Sequence, residues 1–169
     1  GVVAGGRLDE ISADDVARMV GVNIWAPIRL TQIALPHMRA AKSGTIINVS
    51  SLAGRMGMPF YATYCSSKFA LRGFSEALRR EVAPDGIHVM AVYPGGTATD
   101  MIENVEFDRL GMTIATADQV ARIIVRGVRW KQAEVFIGLG ENLISRWTDI
   151  MPWSMDIGVE MLRGRMEAA

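Results

Sequence analysis

The chain reads as an α/β domain built on a parallel sheet with helices packed against it. Stretches with apolar residues at helical spacing alternate with short β-branched runs, the order that generates strand–helix–strand crossovers. The runs themselves, "TIINV" and "HVMAVY", are continuously apolar, as strands buried on both faces are. Two of them run into small polar or glycine turns, Ser50–Ser51 and "YPGG". In open parallel sheets ligands bind beyond the carboxyl ends of the strands.

The elements follow in order. Ser12 and the acids after it form a helix start. Val16, Met19, Val20, Ile24, Ile28, Leu30 and Leu35 then recur at near-helical spacing, with Pro36 late in that helix or kinking it. "SGTIINVSS" is a turn followed by a strand, and "LAGRMGMP" a glycine-punctuated loop. Residues 60–83 are helical and stop at "PDG"; "IHVMAVYPGG" is a second strand and its turn. Residues 97–115 read as a loop with short helical pieces. "TADQVARIIVRGVR" is a helix with a threonine cap, "AEVFIG" a third strand, and 141–167 mostly helix, interrupted at Pro152 and Gly158.

Composition narrows the function. Half of the 169 residues are hydrophobic, enough for one packed core, and the formal net charge is zero. A neutral chain offers no electrostatic footprint for nucleic acid or an anionic membrane surface. The single cysteine, Cys65, allows no internal disulfide and is compatible with a cytoplasmic setting. Cys65, His37 and His88 are scattered, so no zinc-type ligand set forms. No apolar run reaches the roughly 18 residues of a membrane span.

Four residues stand out chemically. Tyr64 and Lys68 lie four apart and share one helix face. An ammonium beside a phenol lowers the phenol's pKa, which suits it to exchange a proton near neutral pH. Ser51 ends a strand thirteen residues before Tyr64, where its hydroxyl can meet an oxygen that also faces the tyrosine. Asn23 interrupts an apolar helix; its amide competes for backbone hydrogen bonds, bends the helix and can hold a water at a site. Each has a plain structural alternative: a surface pair, a serine capping a turn, an asparagine satisfied by local backbone. A serine hydrolase would want a G-x-S-x-G turn, which is absent around Ser50 and Ser51. "GLGENL" imitates a dinucleotide turn but lacks the third glycine, so it is read as a strand-to-helix turn. The stripe Trp147, Met151, Trp153 and Met155 is read as core or oligomer contact, with an apolar substrate lid as the alternative.

Together these residues resemble the short-chain dehydrogenase/reductase family. "YCSSK" is similar to its Tyr-x-x-x-Lys, "IINVSSLAG" to the strand that delivers its serine, "VNIWAPIRLT" to the helix with its asparagine, and "YPGGTATDM" to the Pro-Gly turn over the nicotinamide. Gly1 resembles the last glycine of the family's Asn-Asn-Ala-Gly turn. The resemblance implies a Rossmann-type doubly wound parallel sheet, of which this chain is the C-terminal part. It implies NAD or NADP as cofactor and oxidoreduction between a secondary alcohol and a ketone. Tyr64 is then the acid/base, Lys68 the residue that lowers its pKa and binds the nicotinamide ribose, Ser51 the holder of the substrate oxygen, and Asn23 the anchor of a relay water. Gly1, Tyr64, Lys68, Pro94, Gly95, Thr97 and Thr99 are the implied cofactor contacts. It also implies a homo-dimer or homo-tetramer joined through the helices of Asn23 and Tyr64.

Some features depart from the family. The Gly-x-x-x-Gly-x-Gly loop that binds the pyrophosphate at a helix N-terminus has no counterpart in these 169 residues. By the family's plan roughly the first 80–100 residues of the domain lie outside them. The whole chain is therefore expected to be a partial domain, inactive in isolation; the competing expectation is a non-catalytic fragment. Ala26 stands where glycine is usual, and Thr97 where an aliphatic residue is common.

Overall fold

The computed structural model describes residues 1–97 and 114–166. Among the described residues three parallel strands, β1 (Gly44–Val49), β2 (Ile87–Tyr93) and β3 (Glu134–Phe136), form one sheet in the order β1-β2-β3. β1 and β2 pair over six residues, from Gly44 opposite Ile87 to Val49 opposite Val92. β3 is shorter than the sequence suggests and pairs only with Ala91–Tyr93.

Helices cover the sheet as the alternation predicts. Ser12 caps α1 (Ala13–Val20) by accepting from the Asp15 backbone N–H at 3.0 Å. The path continues through a π-helical turn, Gly21–Trp25, into α2 (Ala26–Ala41). Pro36 sits inside α2 without ending it. The interruption is at Asn23 instead, where the π turn inserts an extra residue into the helical ladder. α3 (Ala62–Val82) buries Leu71, Ser75, Leu78 and Val82, one stripe at helical spacing.

Leu35 of α2, Leu78 and Val82 of α3, and Ile46, Ile87 and Val89 of the strands form the core on that face. Each such aliphatic side chain contributes ~1.5–3 kcal/mol by leaving water. On the opposite face Met90, Val92 and Val135 pack against Ile123, Ile124 and Val128 of α4 (Ala117–Arg129). α4 carries the expected threonine cap as a full capping box, Thr116 with Gln119. Helices therefore lie on both faces, the doubly wound arrangement. β1 departs from it: Ile47 and Val49 point away from α3 and stay 39% and 48% exposed in this chain.

After β3 the chain forms α5 (Leu139–Ile150) and α6 (Trp153–Met166). Pro152 separates them as expected, whereas Gly158 lies within α6; a glycine inside a helix costs only about 1 kcal/mol and does not by itself break it. α5 docks with its polar side inward. Ser145 and Thr148 are buried, while Leu143, Trp147 and Ile150 are 69%, 53% and 76% exposed. Trp147 and Trp153 are thus not core residues. Among the described residues no helix is long and apolar enough to cross a membrane.

Candidate active site

The site forms where β1 and β2 end. Beyond Val49 the chain carries Ser50 and Ser51 and then a 3₁₀ turn, Leu52–Gly54. Two backbone bonds lock this turn to the end of β2: Ser50 N–H to the Val92 carbonyl and Leu52 N–H to the Pro94 carbonyl, both 2.8 Å. Buried polar groups lock it to α3. Asn48 donates to the Ser75 hydroxyl at 2.9 Å, and Ser50 donates to the Lys68 carbonyl at 3.0 Å. Polar groups in the interior must pair, so these bonds fix the height of α3 against the strand end. Gly54 makes the close approach possible: a Cβ there would sit 2.7 Å from the Lys68 carbonyl oxygen.

That packing gathers Ser51, Tyr64 and Lys68. Ser51 caps the 3₁₀ turn by accepting from the Ala53 N–H at 3.2 Å, and its hydroxyl points to the Pro94 carbonyl at 3.5 Å. Lys68 is buried, donates to the Val49 carbonyl at 3.3 Å, and holds its ammonium over the Tyr64 ring, 5.7 Å from the centroid. The electrostatics differ from the sequence-based expectation. Burial pushes the half-buried Tyr64 phenol above its ordinary value; the Ser51 hydroxyl draws it down as a hydrogen-bonding partner, and Cys65 adds a smaller upward push. Burial also pushes the Lys68 ammonium down. The charge lies over the ring and is itself disfavoured by burial, so desolvation prevails. Burial thus disfavours the phenolate of Tyr64.

Asn23 sits at the π turn, as its sequence context suggests, but its amide is committed to protein partners. Oδ1 accepts from the Val2 N–H at 2.9 Å, and Nδ2 donates to the Val2 carbonyl at 2.8 Å and to the Ser67 hydroxyl at 3.0 Å. The side chain ties Val2 to Ser67, the residue before Lys68 on α3. Gly1 lies in that corner: a Cβ would be 3.0 Å from Asn23 Oδ1 and 3.2 Å from Lys68 Nζ. The turn after β2 is placed beside Ser51. Pro94 accepts from it, the Thr97 hydroxyl donates to the Gly95 carbonyl at 3.4 Å, and Thr97 bridges Ala115. Thr99 falls outside the described residues.

One cluster was not legible in the sequence. Arg55, in the glycine-punctuated loop after Ser51, has a side chain only 5% exposed. It borders a polar cavity of about 250 Å³ that is also lined by Arg72, Tyr93, Glu134 and Asp149 and includes none of Ser51, Tyr64 or Lys68. Its partners lie 79 to 94 residues away, so no local pattern reveals them.

Comparison with known proteins agrees with this geometry. Residues 1–109 match the short chain dehydrogenase family. The chain belongs to that family. Among other short-chain dehydrogenases and reductases, a Mycobacterium tuberculosis protein named oxidoreductase SadH is 33% identical over 165 residues, covering 89% of this chain and 60% of that protein. The 3-ketodihydrosphingosine reductase of Bacteroides thetaiotaomicron is 38% identical over 110 residues, covering 65% of this chain and 41% of its own length. The chain thus spans less than two thirds of these relatives. A Burkholderia cenocepacia short-chain dehydrogenase solved with NADP superposes with a TM-score of 0.82 at 22% identity, over 92% of this chain and 65% of that one. That likeness bears out the Rossmann-type α/β fold.

Proposed function

We propose that this chain supplies the catalytic half of an NAD(P)-dependent oxidoreductase that interconverts a secondary alcohol and a ketone. The observation that carries the reading is the convergence of the Ser51 hydroxyl, the Tyr64 phenol and the Lys68 ammonium at the carboxyl ends of β1 and β2. The corner at Gly1 fits a nicotinamide nucleotide: glycine adds no Cβ beside Asn23 Oδ1 and Lys68 Nζ, and Lys68 spends one of its three donor hydrogens on Val49. Gly1, Lys68 and the turn carrying Pro94, Gly95 and Thr97, together with Thr99 outside the described residues, would hold the cofactor's nicotinamide end. When bound, NAD(P)H supplies the hydride.

The protein's own groups handle the oxygen and the proton. Ser51 donates to the ketone oxygen and orients it toward Tyr64. Tyr64, kept protonated by burial, gives its proton to that oxygen as negative charge develops on it. In the oxidative direction its phenolate accepts the alcohol proton, and the nearby ammonium of Lys68 stabilises that anion. The relay water is assigned to Asn23, whose Oδ1 accepts from the Val2 N–H and carries a second lone pair.

The substrate is a carbonyl on an apolar body, supported by the exposed Trp147 and Trp153 of the tail and by the relative that reduces a ketodihydrosphingosine. The assembly is a homo-dimer or homo-tetramer in the cytoplasm. It is supported by the exposed apolar row Val22, Trp25, Leu30 and Ile33 along the Asn23 helix. The test is NADH and NADPH consumption by the gene product containing this chain, with a series of ketones of increasing apolar length. Turnover that improves with apolar length supports the reading; no hydride transfer to any ketone refutes it.

A further inference from the structure

We propose that Arg55 is a positioning residue for the Ser51–Tyr64 geometry, acting by clamping the Ser51 turn to β3, α5 and the Tyr64 helix. The inference rests on reading Ser51 and Tyr64 as the proton-handling pair. Arg55 lies four residues after Ser51 and closes the same turn, with its N–H bonded to the Leu52 carbonyl at 2.9 Å. Every nitrogen of its guanidinium has a partner. Nε donates to the Ser145 hydroxyl at 2.7 Å, Nη1 to Glu134 at 3.1 Å and Nη2 to Asp149 at 2.6 Å. The planar group also lies over the rings of Tyr93 and Phe136, at 5.4 and 5.5 Å. Tyr93 immediately precedes the Pro94 turn, and its hydroxyl donates to the same Glu134 oxygen at 3.1 Å.

The clamp reaches α3 through Asp149. That carboxylate also takes both Arg72 terminal nitrogens, each at 3.3 Å. Arg72 follows Lys68 by four residues, so Tyr64, Lys68 and Arg72 occupy one face of α3. One buried cation therefore links the serine turn, the nicotinamide turn and the tyrosine helix. On α5, Leu143, Trp147 and Ile150 face outward while Ser145 and Thr148 face in, so the bonds to Arg55 sit on its buried side. A buried guanidinium tolerates only a geometry that satisfies its donors, which makes this junction rigid and not merely sticky.

The experiment compares Arg55→Lys and Asp149→Asn with wild type in the gene product containing this chain; Leu78→Ala serves as a control that loosens only the core. The first readout needs no turnover: the titration of Tyr64 by NMR with ¹³C-labelled tyrosine, assigned with Tyr64→Phe. The groups facing that phenol are Ser51 from the turn and Lys68 and Cys65 from α3. Loss of alignment removes the downward pull of Ser51, so the midpoint rises in both variants and stays at the wild-type value in Leu78→Ala. The second readout is kinetic. Both variants lose roughly ten- to a hundredfold in kcat, as ångström-scale misplacement does, with cofactor affinity within about twofold. Lower melting temperatures with a wild-type Tyr64 midpoint and wild-type kcat would overturn the proposal and leave Arg55 a structural tie. If Arg55→Lys fails to fold, Asp149→Asn decides, because it keeps every Arg55 donor in place. If wild type reduces no ketone, the functional reading fails, while the Tyr64 titration still decides whether Arg55 sets the geometry.

Discussion

Gly54→Ala tests how closely the serine turn must nest against α3. The backbone at Gly54 does not lie in the left-handed region, so alanine meets no conformational strain there. The obstacle is space. The new methyl would lie 2.5 Å from Ser50 Oγ and 2.7 Å from the Lys68 carbonyl oxygen, between two atoms already hydrogen-bonded at 3.0 Å. Restoring ordinary contact at 3.4 Å to a backbone atom requires the turn and helix to part by about 0.7 Å. Overpacking costs about 1–3 kcal/mol, and a broken buried hydrogen bond adds about 1 kcal/mol or more. The total, ~2–4 kcal/mol, lowers the melting temperature by roughly 5–15 °C for a chain of this size. The same displacement separates Ser51 from Tyr64 and lowers kcat about ten- to a hundredfold. Thermal unfolding by circular dichroism and steady-state ketone reduction measure the two effects. An alanine variant with unchanged melting temperature and unchanged kcat would refute the packing argument.

Lys68→Met removes the ammonium over the Tyr64 ring and a donor for the ribose, so the cofactor KM rises about tenfold or more and alcohol oxidation shifts to higher pH; identical pH profile and KM would make Lys68 a bystander. In wild type the raised Tyr64 pKa sets opposite signs for the two directions. Ketone reduction holds through neutral pH and falls only as the phenol deprotonates in alkali, whereas alcohol oxidation climbs over that range, and the paired pH–rate profiles check it. Trp25→Glu places a charge in the exposed apolar row of the Asn23 helix; on the proposed assembly the variant sediments as monomer in analytical ultracentrifugation where wild type sediments as dimer or tetramer, and an unchanged sedimentation coefficient would count against an interface there.

The sheet and the core were legible because they rest on periodicity. "TIINV" and "HVMAVY" became adjacent parallel strands, and the 60–83 stretch became α3 with Tyr64 and Lys68 on one face. Asn23 marked the π turn because a polar residue in an apolar helix disturbs its ladder. Its bonding to Val2 and Ser67 did not show, since those partners come from elsewhere in the chain. The sign of the Tyr64 shift was misread for a related reason. Helical spacing places the lysine nearby, but only packing reveals how much water the phenol loses. Arg55 was missed altogether, because long-range ion pairs leave no local pattern. Gly158 was read as a break on local propensity, which the rest of α6 overrides.

The central claim is that Tyr64 carries the proton, and Tyr64→Phe tests it most directly. The variant deletes one oxygen and keeps the ring over which Lys68 lies. Single-turnover ketone reduction by the gene product containing this chain, preloaded with NADPH, separates chemistry from cofactor binding. The account predicts a rate lower by at least about 10²–10⁴-fold, the usual worth of general acid catalysis, with NADPH affinity within about twofold of wild type. A Tyr64→Phe variant that reduces the ketone at close to the wild-type rate would contradict it.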